Sequence, residues 1–321
     1  MSTEGGTKAV VAALSANIGI AVTKFAAFAL TGASSMLAEA IHSVADSGNQ
    51  VLLLVGGKRA RRVADREHPF GYARTRYLYA FLVAIVLFTV GGLFALYEAW
   101  HKFHDPHPID SWRWVPIVVL VVAIGLESYS FRTAIHESNK VRRGLSWRRF
   151  IEKSRSPELP VILLEDFGAL LGLVFALFGV SMTLITHDGR WDALGAAMIG
   201  LLLCAIAAVL GRETKNMLLG ESATEEDVAA ITAALAAEGF DDVIHMRTVH
   251  LGPEDILVTA KVAQRPDATV AEHAAQADRA EAAIRAAVPA VRLIFLEPDV
   301  RREAGVVGQD ADDLGAPPHE V

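Results

Sequence analysis

The chain has 321 residues, 52% of them hydrophobic but only 7% aromatic, and a mean hydropathy of +0.34. So much aliphatic character excludes an ordinary soluble globular protein and points to residence in a bilayer. Net charge is −7, with basic residues crowded into a few loops and acidic residues dominating from Glu221 onward, a pattern of membrane topology rather than nucleic-acid binding.

The single cysteine, Cys204, excludes an internal disulfide and thiolate metal chemistry. No nucleophile triad or phosphate loop appears, so an enzyme is not expected. Crossing a bilayer takes about 20 mostly apolar residues, and helices do it because no backbone group can go unpaired in lipid. Six segments answer that description, over 10–30, 34–57, 77–100, 114–131, 160–185 and 191–210. The first follows Lys8 without a cleavage site and is long enough to remain as a membrane helix. The second carries charges and is placed partly by its flanks.

The connections alternate in charge. Lys58, Arg59, Arg61, Arg62 and Arg66 follow the second segment, and Arg142, Arg143, Arg148, Arg149, Lys153 and Arg155 follow the fourth. Arg212 and Lys215 follow the sixth, while the opposite connections are poor in base. The positive-inside rule then predicts both termini in the cytoplasm, with Trp100, Trp112, Trp114 and Trp191 at the far interface. No internal repeat of the inverted kind is visible.

Beyond Glu221 the pattern changes. Thr224 caps an acidic first turn, 243–251 and 256–262 alternate as strands around Gly252-Pro253-Glu254-Asp255, and 270–288 and 291–296 read as a helix and a strand. This predicts a membrane all-α six-helix bundle over 1–220, then a small cytoplasmic α+β domain of ferredoxin-like type over 221–300. The polar stretch over 301–321 reads as a disordered tail.

Ionisable residues inside such helices are candidates for function, because lipid makes them costly. His42 and Asp46 stand four apart in the second segment, on one helix face within reach of one ion. Imidazole with carboxylate suits zinc and its first-row neighbours; the plainer reading is a His–Asp hydrogen bond that fixes packing. Glu165 and Asp166 lie in the fifth segment, where adjacent carboxylates repel unless a cation, a proton or a helix end relieves them. A helix that starts later would leave both at the surface. Asn17, Lys24, Glu39, Asn49 and Glu127 either line a cavity or pair and snorkel. Glu98 and Asp192 lie near segment ends, where solvation is cheap, and His101, His104 and His107 read as a solvated loop or an ion collector.

Three motifs resemble the cation diffusion facilitator family of zinc-type exporters, over nearly the whole chain. They are His42-x-x-x-Asp46, the stretch Asp65-Arg66-Glu67-His68-Pro69-Phe70-Gly71-Tyr72, and Arg247-Thr248 with Gly252-Pro253. The resemblance implies a metal/proton antiporter, usually a homodimer, in the plasma membrane. It also implies a tetrahedral site with two donors from the second helix and two from the fifth. His42 and Asp46 fit directly. The fifth helix departs from the family's His-x-x-x-Asp: with Asp166 in the Asp place, Ile162 takes the His place, and with Glu165 in the His place, Ala169 takes the Asp place. Asp65 and His68 match an accessory metal site, though Tyr72 stands where a second His is usual. His273 and Glu297 match ligand positions of the terminal domain, while Ala260 and Phe295 replace others. The expected activity is efflux of a divalent cation, zinc first, with iron, manganese or cobalt as alternatives. A non-transporting membrane metal sensor is the other reading. No prosthetic group or nucleic acid is implied.

Overall fold

The computed structural model describes residues 3–107, 109, 112–142 and 144–300. The tail over 301–321 and Arg143 of the second basic loop lie outside the described residues. The chain forms two compact units, one from the residues up to Arg62 and Thr75–Lys215, the other from Val63–Arg74 and the chain from Asn216 onward. The loop after the second helix therefore groups with the C-terminal unit, not with the helices that flank it in sequence.

The first unit is helical. It comprises α1 (Thr3–Thr31), α2 (Ser34–Ala60), α3 (Thr75–Val86), α4 (Phe94–His104), α5 (Trp114–Val141), α6 (Trp147–Lys153), α7 (Glu158–Thr186) and α8 (Arg190–Leu219). A π-helical stretch, Leu87–Leu93, makes α3 and α4 one continuous rod. Among the described residues four helices are long and apolar enough to cross a membrane: Thr75–His104, Trp114–Val141, Glu158–Thr186 and Arg190–Leu219. The described apolar part of α1, Asn17–Thr31, is short, and α2 is interrupted by Glu39, His42 and Asp46. Hydropathy thus places four spans where the sequence predicts six. Where α7 crosses α8, Gly179 and Gly195 face each other: a Cβ on Gly179 would stand 2.9 Å from the Trp191 carbonyl oxygen. Small residues let the two backbones approach, as membrane helices require when burial in lipid brings no hydrophobic gain.

Two features differ from the sequence reading. The short helix α6 was not expected; its N-cap Ser146 accepts from the Arg149 amide, and its Phe150 is buried against Ala134 and Leu163. Asp192, expected near solvent, is fully buried. Its carboxylate caps the start of α2, accepting from the Ser34 amide at 2.5 Å, the Ser35 amide at 3.2 Å and the Ser35 hydroxyl. The first amides of a helix have no internal partner, and a carboxylate there meets both that need and the helix dipole. Glu98 accepts from the Ser34 hydroxyl at 2.9 Å, and Lys102 donates to the Gly32 carbonyl at 3.0 Å. One end of α2 is therefore tied to both α4 and α8.

The second unit has α9 (Glu225–Ala237), β1 (Val243–Gly252), β2 (Asp255–Ala263), α10 (Val270–Ala287) and β3 (Val291–Asp299). Thr224 caps α9 as the sequence predicts, accepting from the Asp227 amide at 3.1 Å. The sheet has three strands in the order β1-β2-β3; β1 pairs antiparallel with β2 (Met246 opposite Ala260), and β2 pairs parallel with β3 (Val258 opposite Ile294). Ile231, Leu235 and Phe240 pack with Ile256, Val258, Ala280 and Ile284 to form its core.

Candidate metal centre

α2 buries the side chains that an exposed helix would give to water: Glu39, His42, Ser43, Ser47 and Asn49. A polar face turned inward is the reverse of a soluble amphipathic helix, and in lipid it must find partners among its neighbours. Most of it does. Lys24 of α1, itself buried, donates to Glu39 at 2.9 Å and to Ser43 at 2.8 Å. Asn49 donates to Oε1 of Glu165 at 2.7 Å. The free oxygen of Glu39, Oε1, lies 2.5 Å from where a Cβ on Gly172 would be, so a side chain at that point of α7 would push the Glu39 carboxyl aside.

His42 is different. Its ring is 1% exposed, and neither nitrogen has a hydrogen-bond partner. The nearest charged group is Asp46 Oδ1, 3.5 Å from Nδ1 and also without a hydrogen bond. That gap is too long for a hydrogen bond, so the structure does not join the two by the packing bond that the sequence allows. Buried polar atoms without partners are rare and mark a place for a proton, a water or an ion.

Asp46 opens on a cavity of about 40 Å³, room for a few waters. Ser43 and Gln50 of α2 also line it, with Asn17 of α1, Glu127 and Ser130 of α5, and Ile162, Glu165 and Asp166 of α7. α7 begins at Glu158, so Glu165 and Asp166 sit two turns inside it rather than at the surface. Glu165 is the more buried of the two; Asp166 accepts from the Ser130 hydroxyl at 2.9 Å. Asp46, Glu165 and Asp166 therefore come to one cavity, with His42 behind Asp46. Among the described residues, no three His, Cys, Asp or Glu side chains stand close enough together to hold an ion as they are.

Ser130 and Asp192 are the polar positions that the sequence reading passed over or misplaced. The signal for Ser130 is its spacing: it follows Glu127 by three residues, on the same face of α5.

The second predicted pair, Asp65 and His68, lies in the loop of the other unit. There Asp65 accepts from the amides of Glu67 at 3.1 Å and His68 at 2.8 Å, and from the Tyr72 hydroxyl at 2.6 Å. The Tyr72 hydrogen bond, with the two amides, holds its carboxyl below the usual carboxylate range. His68 stands 3.7 Å from Asp65 and stacks on the Tyr72 ring, with centroids 4.3 Å apart. His273 and Glu297 are engaged locally: Gln264 donates to His273 Nδ1 at 2.9 Å, and Lys261 lies 3.3 Å from Glu297. His104 and His107 each donate to a backbone carbonyl at 2.9 Å.

Four apolar spans, two of which help to line an acidic cavity, make this a multi-pass integral membrane protein. The chain belongs to the cation diffusion facilitator family: the family model for the cation efflux transmembrane domain matches residues 10–219. That is a family of cation-efflux membrane proteins and not of enzymes. A mitochondrial proton-coupled zinc antiporter of Xenopus laevis is 31% identical over 265 residues, 82% of this chain and 47% of the relative. Its Homo sapiens counterpart is 32% identical over 242 residues, 74% and 42% respectively. The zinc transporter ZitB of Pectobacterium atrosepticum is 24% identical over 247 residues, 77% and 72%. The chain spans less than half the length of the first two relatives.

Proposed function

We propose that the chain exports a divalent cation, zinc first among candidates, in exchange for protons, with His42, Asp46, Glu165 and Asp166 as its donors. The observation that carries this reading is the shared cavity. Three helices bring four carboxylates to it, Asp46, Glu127, Glu165 and Asp166, and an unpartnered imidazole stands beside one of them. The names of the relatives, zinc transporter and proton-coupled zinc antiporter, support the cargo and the coupling. Donors must shed protons to bind a metal, so loading from the cytoplasm releases protons and protons from the far side displace the ion. His42 suits that exchange because an imidazole nitrogen takes either a proton or a metal ion.

In this reading α1 and α2 complete six spans, and both termini lie in the cytoplasm of a plasma-membrane homodimer. The helical domain covers 1–220. The domain over 221–300 is a ferredoxin-like arrangement without its first strand, since the strand that would lie between β2 and β3 is absent and they pair directly. Asp65 and His68 form an accessory cytoplasmic site that meets arriving ions.

Purified protein in liposomes, with an imposed pH gradient and an internal zinc dye, tests the proposal. Zinc should accumulate only with the gradient, and His42→Ala with Asp46→Ala should abolish it. No gradient-driven zinc movement, or flux untouched by the double substitution, sinks it.

A further inference from the structure

We infer that Glu127 of α5 is a further ligand for the transported ion, so that three helices, α2, α5 and α7, hold it. This rests on the transport reading above and supplies a donor which that reading leaves out. Glu127 lies 13 residues after Trp114 and 14 before Val141, at the middle of α5. With a rise of about 1.5 Å per residue it is about 20 Å from either end of the helix, at a depth where a carboxylate facing lipid is costly. It makes no hydrogen bond or ion pair among the described residues, and it faces the cavity that Asp46, Glu165 and Asp166 share.

Ser130, one turn further along α5, donates to Asp166 at 2.9 Å, which seats this stretch of α5 against the acidic turn of α7. On the α7 wall the residue one turn before Asp166 is Ile162, an apolar side chain that offers no donor. The buried His42 gives an independent sign of a ligand. It is 1% exposed, both ring nitrogens lack partners, and Nδ1 lies 3.5 Å from an unpartnered oxygen of Asp46, a residue that lines the cavity. With Glu127 included, one imidazole and mainly carboxylate oxygens surround the ion. Oxygen-rich sets favour harder cations, so Glu127 broadens the site from zinc toward manganese(II).

The test compares wild type, Glu127→Gln, Glu127→His and Glu127→Asp in proteoliposomes, with initial rates measured over a range of zinc and of manganese(II). Glu137→Gln, near the end of the same helix and paired there with Lys140, serves as the control. Glu127→Gln should raise KM about tenfold or more for both ions, and more for manganese. Glu127→His should recover zinc and not manganese. Glu137→Gln should change neither. An unchanged KM in Glu127→Gln, or a loss confined to the maximal rate, overturns the inference, because a structural or purely proton-carrying residue would act that way. Should Glu127→Gln not fold, Glu127→Asp decides: an intermediate KM supports the inference and an unchanged one overturns it. A wild type that moves neither ion overturns the transport reading itself, whereas a working wild type with an unmoved Glu127→Gln overturns only this inference.

Discussion

Two histidine–aspartate pairs in this chain have nearly the same separation and opposite surroundings. His42 and Asp46 stand 3.5 Å apart, with side chains 1% and 16% exposed, and His68 and Asp65 stand 3.7 Å apart at 52% and 41%. The exposed pair is satisfied: two amides and a phenol hold Asp65, and His68 stacks on Tyr72. The enclosed pair keeps three polar atoms without hydrogen bonds. Distance alone therefore says little about a His–Asp pair. A metal released from water must be held by groups that gain from it, and only the enclosed pair still lacks partners.

The sharpest way to break this comparison is to neutralise one carboxylate of each pair. Asp46→Asn should lower gradient-driven zinc flux by about a hundredfold and Asp65→Asn by no more than a few-fold, since a buried site offers fewer substitutes for a lost donor than an exposed loop does. Equal losses would show that burial is not what distinguishes the pairs.

The polar packing around the enclosed pair should be nearly as sensitive. Lys24→Met leaves the buried Glu39 without its partner, a change that typically costs about 3–5 kcal/mol, whereas replacing both by apolar residues is often neutral. Thermal unfolding in detergent should show Lys24→Met far less stable than Lys24→Met with Glu39→Leu; equal stability would mean that the ion pair contributes little.

A smaller effect is expected where α2 begins. Asp192→Ala strips the cap from the Ser34 and Ser35 amides, and an unsatisfied buried donor costs about 1–3 kcal/mol. The same melting experiment measures it, and an unchanged midpoint would show that water or Glu98 substitutes.

The mildest change concerns the exposed pair. Asp65 has its carboxyl held down in the folded chain, so its hydrogen bonds stabilise the loop above the ordinary aspartate range. That contribution is lost as pH falls through the lowered value. Tyr72→Phe removes the largest cause and should move the Asp65 titration upward, as followed by carboxyl-carbon NMR. Flux at neutral pH should change little, because Asp65 stays ionised there. An Asp65 titration that does not move would assign the shift to the loop amides instead.

Much of this architecture is legible along the chain. The apolar segments, the Thr224 cap, the strands around Gly252 and the pairing of His42 with Asp46 on one helix face all follow from local spacing and solvation, which act over a few residues. α6 escaped that reading because Phe150 packs against side chains of the two flanking helices, Ala134 of α5 and Leu163 of α7, a contact that its own seven residues do not announce. Asp192 escaped it for the same reason: a carboxylate near a helix end reads as solvated unless the residues it caps, 157 and 158 positions away, are known to lie beside it.

The site divides in the same way. The sequence by itself determined that His42, Asp46, Glu165, Asp166 and Glu127 are costly in lipid and so demand a reason, because that cost depends only on their chemistry and on the hydropathy around them. Only the tertiary structure decided which of these demands are met within the protein. Lys24 answers Glu39, Asn49 answers Glu165 and Ser130 answers Asp166, while His42 and Asp46 Oδ1 are left without a hydrogen bond beside the acid-lined cavity. Partners that come from different helices are set by how the helices pack, and spacing along the chain does not carry that information.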